Sequence, residues 1–266
     1  MKIRANRRSR EPFGRRLRGF VARRYKFVIA AVSLSFLVYG GVEAYDALTT
    51  SPRLAVQTIE VTGHGRVSKE EAVELSGIRE GENILTINVS EAADNIRGNP
   101  WVGDVRVKRT GFASVAIEIK ERTPTALIRL DGLYVMDVEG TVFKRAAVED
   151  ALYGELPVIT GFTETRLKDD PYGLTVRTLE LIRILKNRRG FNIGDVSEIS
   201  VDGALGLSVY TVAEGVRIDV GVEKFGEKLD ALEKVLHARG GSFRGIEAVD
   251  INNGRGVIVK FTTNTA

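Results

Sequence analysis

The chain has 266 residues, 43% hydrophobic and 28% charged, the balance of one large folded domain or two small ones. Its net charge of +4 conceals a split: eleven of the 39 Lys and Arg lie in residues 1–26 beside one acid, Glu11, leaving 28 bases against 34 acids beyond. A mildly acidic body argues against nucleic-acid binding, and the absence of cysteine excludes disulfides, thiol catalysis and thiolate metal sites.

Residues 1–24 read as a basic tail and 25–47 as a transmembrane helix. From Tyr25 to Val42 the only charge is Lys26, at the edge, where it can snorkel. These 18 residues span about 27 Å as a helix, close to the hydrocarbon thickness of a bilayer. The basic flank resists transfer and stays cytoplasmic, which puts the bulk of the chain on the far side. A cleaved signal peptide would have a shorter apolar core and a small-x-small site. Here the uninterrupted run Phe27–Val42 has 16 residues, and the site would be "VEA" with Val42 in a small residue's place. The segment therefore reads as a retained anchor. The dense basic flank also argues against a buried helix of a soluble domain.

Pro52 ends the helix. Over 54–122, "TIEVTG" alternates as a strand. "SKEEAVELSG" is a helix with Ser68 and Glu71 as a capping box and Gly77 as its stop, and "NVSEAADNIRGNP" is a second helix ending before Pro100. "WVGDVRVKRT" and "SVAIEIKER" alternate as two more strands. The order β-α-α-β-β predicts a three-stranded sheet with helices on one face.

Over 123–262, "ALIRLDGLYVMD" is a hairpin turning at Asp131-Gly132, and "GTVFKR" and "LPVITG" add strands. "DPYGLTVRTLELIRILKNRRG" is a helix with Leu174, Leu181 and Leu185 on one stripe and Gly190 as its stop. "LGLSVYTVAEGVRIDVG" is a hairpin, and "EKFGEKLDALEKVLHARGG" is an amphipathic helix with Phe225, Leu229, Leu232 and Leu236 on one face. "IEAVDINNGRGVIVKF" is a final hairpin around Asn253-Gly254. The whole is α+β: one transmembrane helix, a β-α-α-β-β module, and a β-rich domain with two helices.

No catalytic constellation emerges. His64 and His237 are the only histidines, one in a "GHG" turn and one in the last turn of a helix. Ser-x-x-Lys, Gly-x-Ser-x-Gly and His-Glu-x-x-His do not occur. The glycines of "DGALGLS" and "NGRGV" read as hairpin turns. The expectation is a protein with no catalytic, metal or cofactor site, no small-molecule substrate and no nucleic-acid partner. Binding remains. If the last strand is a sheet edge, its backbone can pair with a partner strand; if the edge is covered internally, it is an ordinary strand. The alternation places Val257, Val259 and Phe261 toward the core, with Ile258 and Lys260 on the other face.

The layout resembles the FtsQ/DivIB family of bacterial cell-division proteins. "NPWVGDVRVKR" (99–109) is similar to the family's Pro-Trp-Val segment, and "IKERTPTALI" (119–128) to its junction between a POTRA module and the β domain. "DVEGTVF" (137–143) resembles its Asp-x-x-Gly-x-x-Phe turn, "LPVITG" (156–161) the strand that follows, and "EAVDINNGRGVIVKF" (247–261) its closing hairpin. The resemblance implies a non-enzymatic divisome scaffold at the septum of the inner membrane. Such a scaffold recruits FtsB-like and FtsL-like membrane proteins and helps coordinate septal peptidoglycan synthesis. It also implies a POTRA domain over 54–122 and a β domain over 123–262 whose end receives a partner strand. Carried onto this sequence, that surface is Ala248, Val249, Asp250, Ile251 and Asn252 with Val257, Ile258, Val259, Lys260 and Phe261. Phe261 stands as an aromatic anchor where some members carry Trp. Ala248 departs from members with a large aromatic before the Val-Asp pair. The alternative is another anchored POTRA protein acting in protein assembly or secretion. An outer-membrane transporter of that kind would need a run of amphipathic barrel strands that this chain lacks.

Overall fold

A computed structural model describes residues 13–147, 151–170, 173–254 and 256–262. Residues 1–12 of the basic tail, Pro171 and Tyr172 at the head of an expected helix, and Arg255 of the last hairpin lie outside the described residues. By its contacts the chain divides into two units. One comprises the residues up to Thr62, Glu70–Asn95 and Arg106–Glu118; the other comprises Gly63–Lys69, Ile96–Val105 and the chain from Ile119 on.

Helix α1 (Phe13–Thr49) contains the expected span and continues beyond it at both ends. Its segment Arg24–Thr49 is long and apolar enough to cross a bilayer. A 3-10 turn at Pro52–Leu54 leads into β1 (Thr58–Thr62), α2 (Lys69–Ser76), α3 (Val89–Arg97), β2 (Val102–Thr110) and β3 (Ser114–Glu121). This is the β-α-α-β-β order read from the sequence. The sheet order is β1-β3-β2, with β1 parallel to β3. Ile59 and Val61 on β1, and Val115, Ile117 and Ile119 on β3, are buried at every second position, which makes the sheet one-sided. Gly77 ends α2 with φ +70, a left-handed conformation that glycine adopts without steric cost. Asn88 caps α3: its Oδ1 accepts the Glu91 N–H at 3.3 Å, and its Nδ2 donates to the Glu91 carboxylate at 3.3 Å.

The second sheet has nine strands. They are β4 (Pro124–Arg129), β5 (Leu133–Asp137), β6 (Val142–Arg145), β7 (Val158–Thr160), β8 (Val196–Asp202), β9 (Gly206–Thr211), β10 (Arg217–Gly221), β11 (Ile246–Asp250) and β12 (Ile258–Phe261). Their order is β12-β11-β10-β9-β8-β7-β4-β5-β6. One row of side chains crosses almost all of it. Tyr134 stands opposite Ile128, then come Ile159, Ile199, Val209, Ile218, Val249 and Val259, each in register with the last. Helices α5 (Leu174–Lys186) and α6 (Phe225–Ala238) cover this face with Leu181, Ile182, Leu185, Phe225, Leu229 and Leu232. A fully buried Leu or Phe stabilises the fold by roughly 1.5–3 kcal/mol, so this layer holds the sheet together. The opposite face is apolar only near β4 and β5, where Leu127, Val135 and Tyr153 cluster. Toward β8, β9 and β10 it carries polar pairs: Thr160 of β7 donates to Glu198 of β8 at 2.6 Å, and Ser208 of β9 to Asp219 of β10 at 2.7 Å.

The secondary structure differs from the sequence reading in four places. The first hairpin turns over three residues, 130–132, because Arg129 pairs with Leu133. Helix α5 stops at Lys186, not Gly190; Asn187 closes it by donating its N–H to Ile184 and Leu185 and its side-chain amide to Arg183. A short helix, α4 (Glu164–Asp169), precedes α5, capped by Thr163. Strand β8 joins β9 through the "DGALG" turn, and its strand character is absent from the sequence reading.

Candidate partner-binding edge

Strand β12 closes one side of the nine-stranded sheet. It pairs antiparallel with β11, Val249 opposite Val259 and Asp250 opposite Ile258. Among the described residues no strand pairs with its outer side. Two hydrogen bonds fix which amides face outward. Thr262 N–H donates to Gly245 O at 3.0 Å, toward β11. Alternation along an extended strand then turns the amides of Lys260 and Ile258 inward and those of Phe261 and Val259 outward. Ile251 N–H donates to Asp219 O at 3.1 Å, toward β10, which directs the Asp250 and Ala248 amides to β12. The two parities agree, and the outer rim of β12 offers backbone donors and acceptors at Val259 and Phe261.

The ten sequence-selected residues fall into three groups. Val249 and Ile251 are buried in the core and reach a partner only through the strand they support. Ala248, Asp250 and Asn252 shape the base of the hairpin. The Asp250 carboxylate accepts the Asn252 N–H at 2.7 Å, and Asn252 Oδ1 accepts Lys228 Nζ at 2.9 Å. Lys228 also donates to Val220 O at 2.7 Å, and burial pushes its ammonium below the usual lysine range. Gly221, at φ +80, leaves room for this contact: a Cβ there would lie 2.0 Å from Asn252 Oδ1.

The third group is on the edge itself. Val257 and Val259 pack half-buried against the core, as expected. Ile258 is 57% exposed on the otherwise polar face, beside Lys260, which pairs with Glu247. Phe261 departs from its expected core position and is 53% exposed. Helix α6 ends at Ala238, and the guanidinium of Arg239, the next residue, lies over the ring at 5.2 Å from its centre. Arg239 and Glu247 are edge neighbours that the sequence reading missed. Arg239 belongs to "HARGG", and nothing in that spacing points to the last strand.

The other end of the sheet is different. Phe143 of β6 meets Trp101 edge-on at 5.3 Å, Lys144 Nζ lies 5.3 Å from the Trp101 ring, and Arg66 stacks 4.2 Å above it. Side chains already lie against that edge.

The histidines come together in no site. His64 is exposed in its turn, and exposed His237 lines a cavity of about 930 Å³ with Phe191, Phe243, Asp230 and Glu233. The last two acids are engaged by Arg188, at 2.6 Å and 2.9 Å. Among the described residues no three His, Asp or Glu side chains gather as metal ligands.

Comparison with known proteins gives two family matches. The profile of the FtsQ-type POTRA domain matches residues 54–122, and that of the cell division protein FtsQ/DivIB C-terminal region matches 126–252, stopping short of β12. Several proteins called cell division protein FtsQ are similar along most of their length. The protein from Geobacter sp. strain M21 is 33% identical over 84% of this chain and 82% of its own. That of Geotalea daltonii is 31% identical over 91% and 89%, and that of Syntrophotalea carbinolica 33% over 87% and 83%.

Proposed function

From the premise that this chain belongs to the FtsQ/DivIB family of cell-division proteins, we propose that it is a non-enzymatic scaffold that captures partner strands at β12. In this reading α1 anchors it in the cytoplasmic membrane, the basic tail stays in the cytoplasm, and a POTRA domain (54–122) and β domain (123–262) stand outside. Its partners are small membrane proteins of the FtsB and FtsL kind, met at the division septum. Through them it coordinates septal wall synthesis.

The observation that carries the reading is the outward-facing backbone of Val259 and Phe261 on an edge strand whose inner side is tied in register to the core. A partner strand added there would gain main-chain hydrogen bonds for affinity. Side chains on alternate faces would supply selectivity: Ile258 and Lys260 on the polar face, Phe261 with Arg239 on the helix face.

The test is capture from gently solubilised native membranes by the full chain and by a chain ending at Gly254, with mass spectrometry of what is retained. The scaffold reading expects FtsB-like and FtsL-like proteins with the full chain alone. Their capture by both chains moves the site away from β12. Retention of outer-membrane assembly factors instead overturns the function.

A further inference from the structure

We propose that the anchor-proximal end of the first unit, led by Phe112 and Leu85, rests in the lipid headgroup layer of the membrane that α1 crosses. This inference rests on the reading of α1 as a membrane anchor and not on the partner reading.

Strand β1 begins nine residues after α1 ends, and β3 runs parallel to it, Thr58 opposite Ser114. The turn that precedes β3 therefore lies at the end of the sheet where the chain arrives from the anchor. That turn is "TGFAS", and at its tip Phe112 is 80% exposed. Ala113 O accepts the Gln57 N–H at 2.8 Å, which fastens the turn to the chain leaving the anchor.

Leu85 reaches the same end by another route. Asn83 Nδ2 donates to Leu48 O in the last turn of α1 at 2.8 Å, and its Oδ1 accepts the Leu85 N–H at 2.9 Å. Ile84 N–H donates to Leu54 O at 2.7 Å, and Asn83 forms a bridge with Ala55. Leu85, 49% exposed, is thus held beside the end of α1. Arg109 Nη2 donates to Ile87 O at 2.6 Å and ties the strand leading to Phe112 onto the segment carrying Leu85.

Depth follows from length. About twenty helical residues cross the hydrocarbon, so a span counted from Lys26 ends near Tyr45. Leu48, and with it Asn83 and Leu85, then falls in the adjoining headgroup layer. A lone aromatic at a hairpin tip beside Arg109 and Thr110 has the chemistry of an interfacial anchor, an apolar body among polar neighbours.

The chain has no cysteine, so single labelling sites can be introduced cleanly. Full-length Phe112→Cys, Leu85→Cys and Thr62→Cys, each carrying a polarity-sensitive fluorophore, would be placed in phosphatidylethanolamine–phosphatidylglycerol nanodiscs with nitroxide lipids. Thr62 ends β1 at the opposite end of the sheet and is the control. The expected result is several-fold stronger quenching at 85 and 112 than at 62. Quenching at 112 no greater than at 62 overturns the proposal. Because the label replaces the ring, Phe112→Asp is added to the Leu85→Cys chain. The introduced charge should lower quenching at 85; unchanged quenching shows that Phe112 does not seat the surface and overturns its role.

Discussion

Val249 and Val259 face each other across the β11–β12 pair, yet the Val249 amide points inward to β10 and the Val259 amide points out of the sheet. The same row of side chains thus ends in two backbones with different obligations. Proline separates them. Val259→Pro removes an outward donor, a change that an edge strand tolerates. It should leave the circular dichroism spectrum intact, lower the melting temperature modestly, and abolish partner capture. Ile258→Pro removes an inward donor to β11 and should loosen the strand itself. Loss of native spectrum with Val259→Pro would contradict the assigned parity, and intact capture with an intact fold would sink strand addition at β12.

Gly221 supports this hairpin from below. Gly221→Ala meets two costs: a left-handed φ of +80, worth roughly 1–2 kcal/mol for a residue with a Cβ, and collision with Asn252 Oδ1 at 2.0 Å. Gly254→Ala, at φ +71 with open space around it, meets only the first. Denaturant unfolding should therefore show Gly221→Ala as the less stable of the two. Equal losses would mean that the Asn252 contact yields freely and does not hold the hairpin in place.

Much of this was legible in the sequence because burial repeats. The period-2 strands, the i,i+4 spacing of Leu181 and Leu185, and the glycine after α2 each report a local rule, and the structure keeps them. Other features are not local. That β12 is an edge depends on the order of nine strands, which no single segment encodes. Phe261 has the alternation of a core residue, yet it is half exposed and its ring meets Arg239, just past the end of α6. The helix stop moved from Gly190 to Asn187 because a side-chain amide can close the last turn as a glycine can. Strand β8 buries Val196, Ile199 and Val201, but the spacing of three between the first two breaks the period of two.

The "DVEGTVF" turn of the family resemblance has a physical core in Asp137. Its carboxylate is buried and accepts the N–H groups of Glu139 and Thr141, both at 2.9 Å, and Arg122 Nη1 at 2.7 Å. Arg122→Ala strands that charge. Removing one partner of a buried ion pair costs about 3 kcal/mol or more, so a clear fall in the unfolding midpoint is expected. Arg122→Ala with Asp137→Asn, which withdraws both charges, should recover part of it. No recovery would show that Arg122 acts through its packing on Phe143, 5.7 Å from its guanidinium.

Glu121 supplies a pH test. Burial raises its pKa, but the N–H groups of Arg66, Val67 and Gly65 donate to the carboxylate at 3.0, 2.9 and 2.7 Å and together outweigh burial, holding it below the usual 4.5. A depressed carboxylate pKa favours the folded state when the group is ionised. The contribution is fully present above the unfolded value near 4.5 and is lost as pH falls through the folded value below it. Glu121→Gln keeps the shape but not the charge. The unfolding midpoint of the native chain should exceed that of the variant at neutral pH, and the gap should narrow as pH drops from 5 toward 3. The loop concerned carries Arg66, which stacks on Trp101, so protonation should also alter Trp101 fluorescence, the only tryptophan signal of the chain, over the same acidic window. A gap that stays constant across that window would show that Glu121 contributes through shape rather than charge.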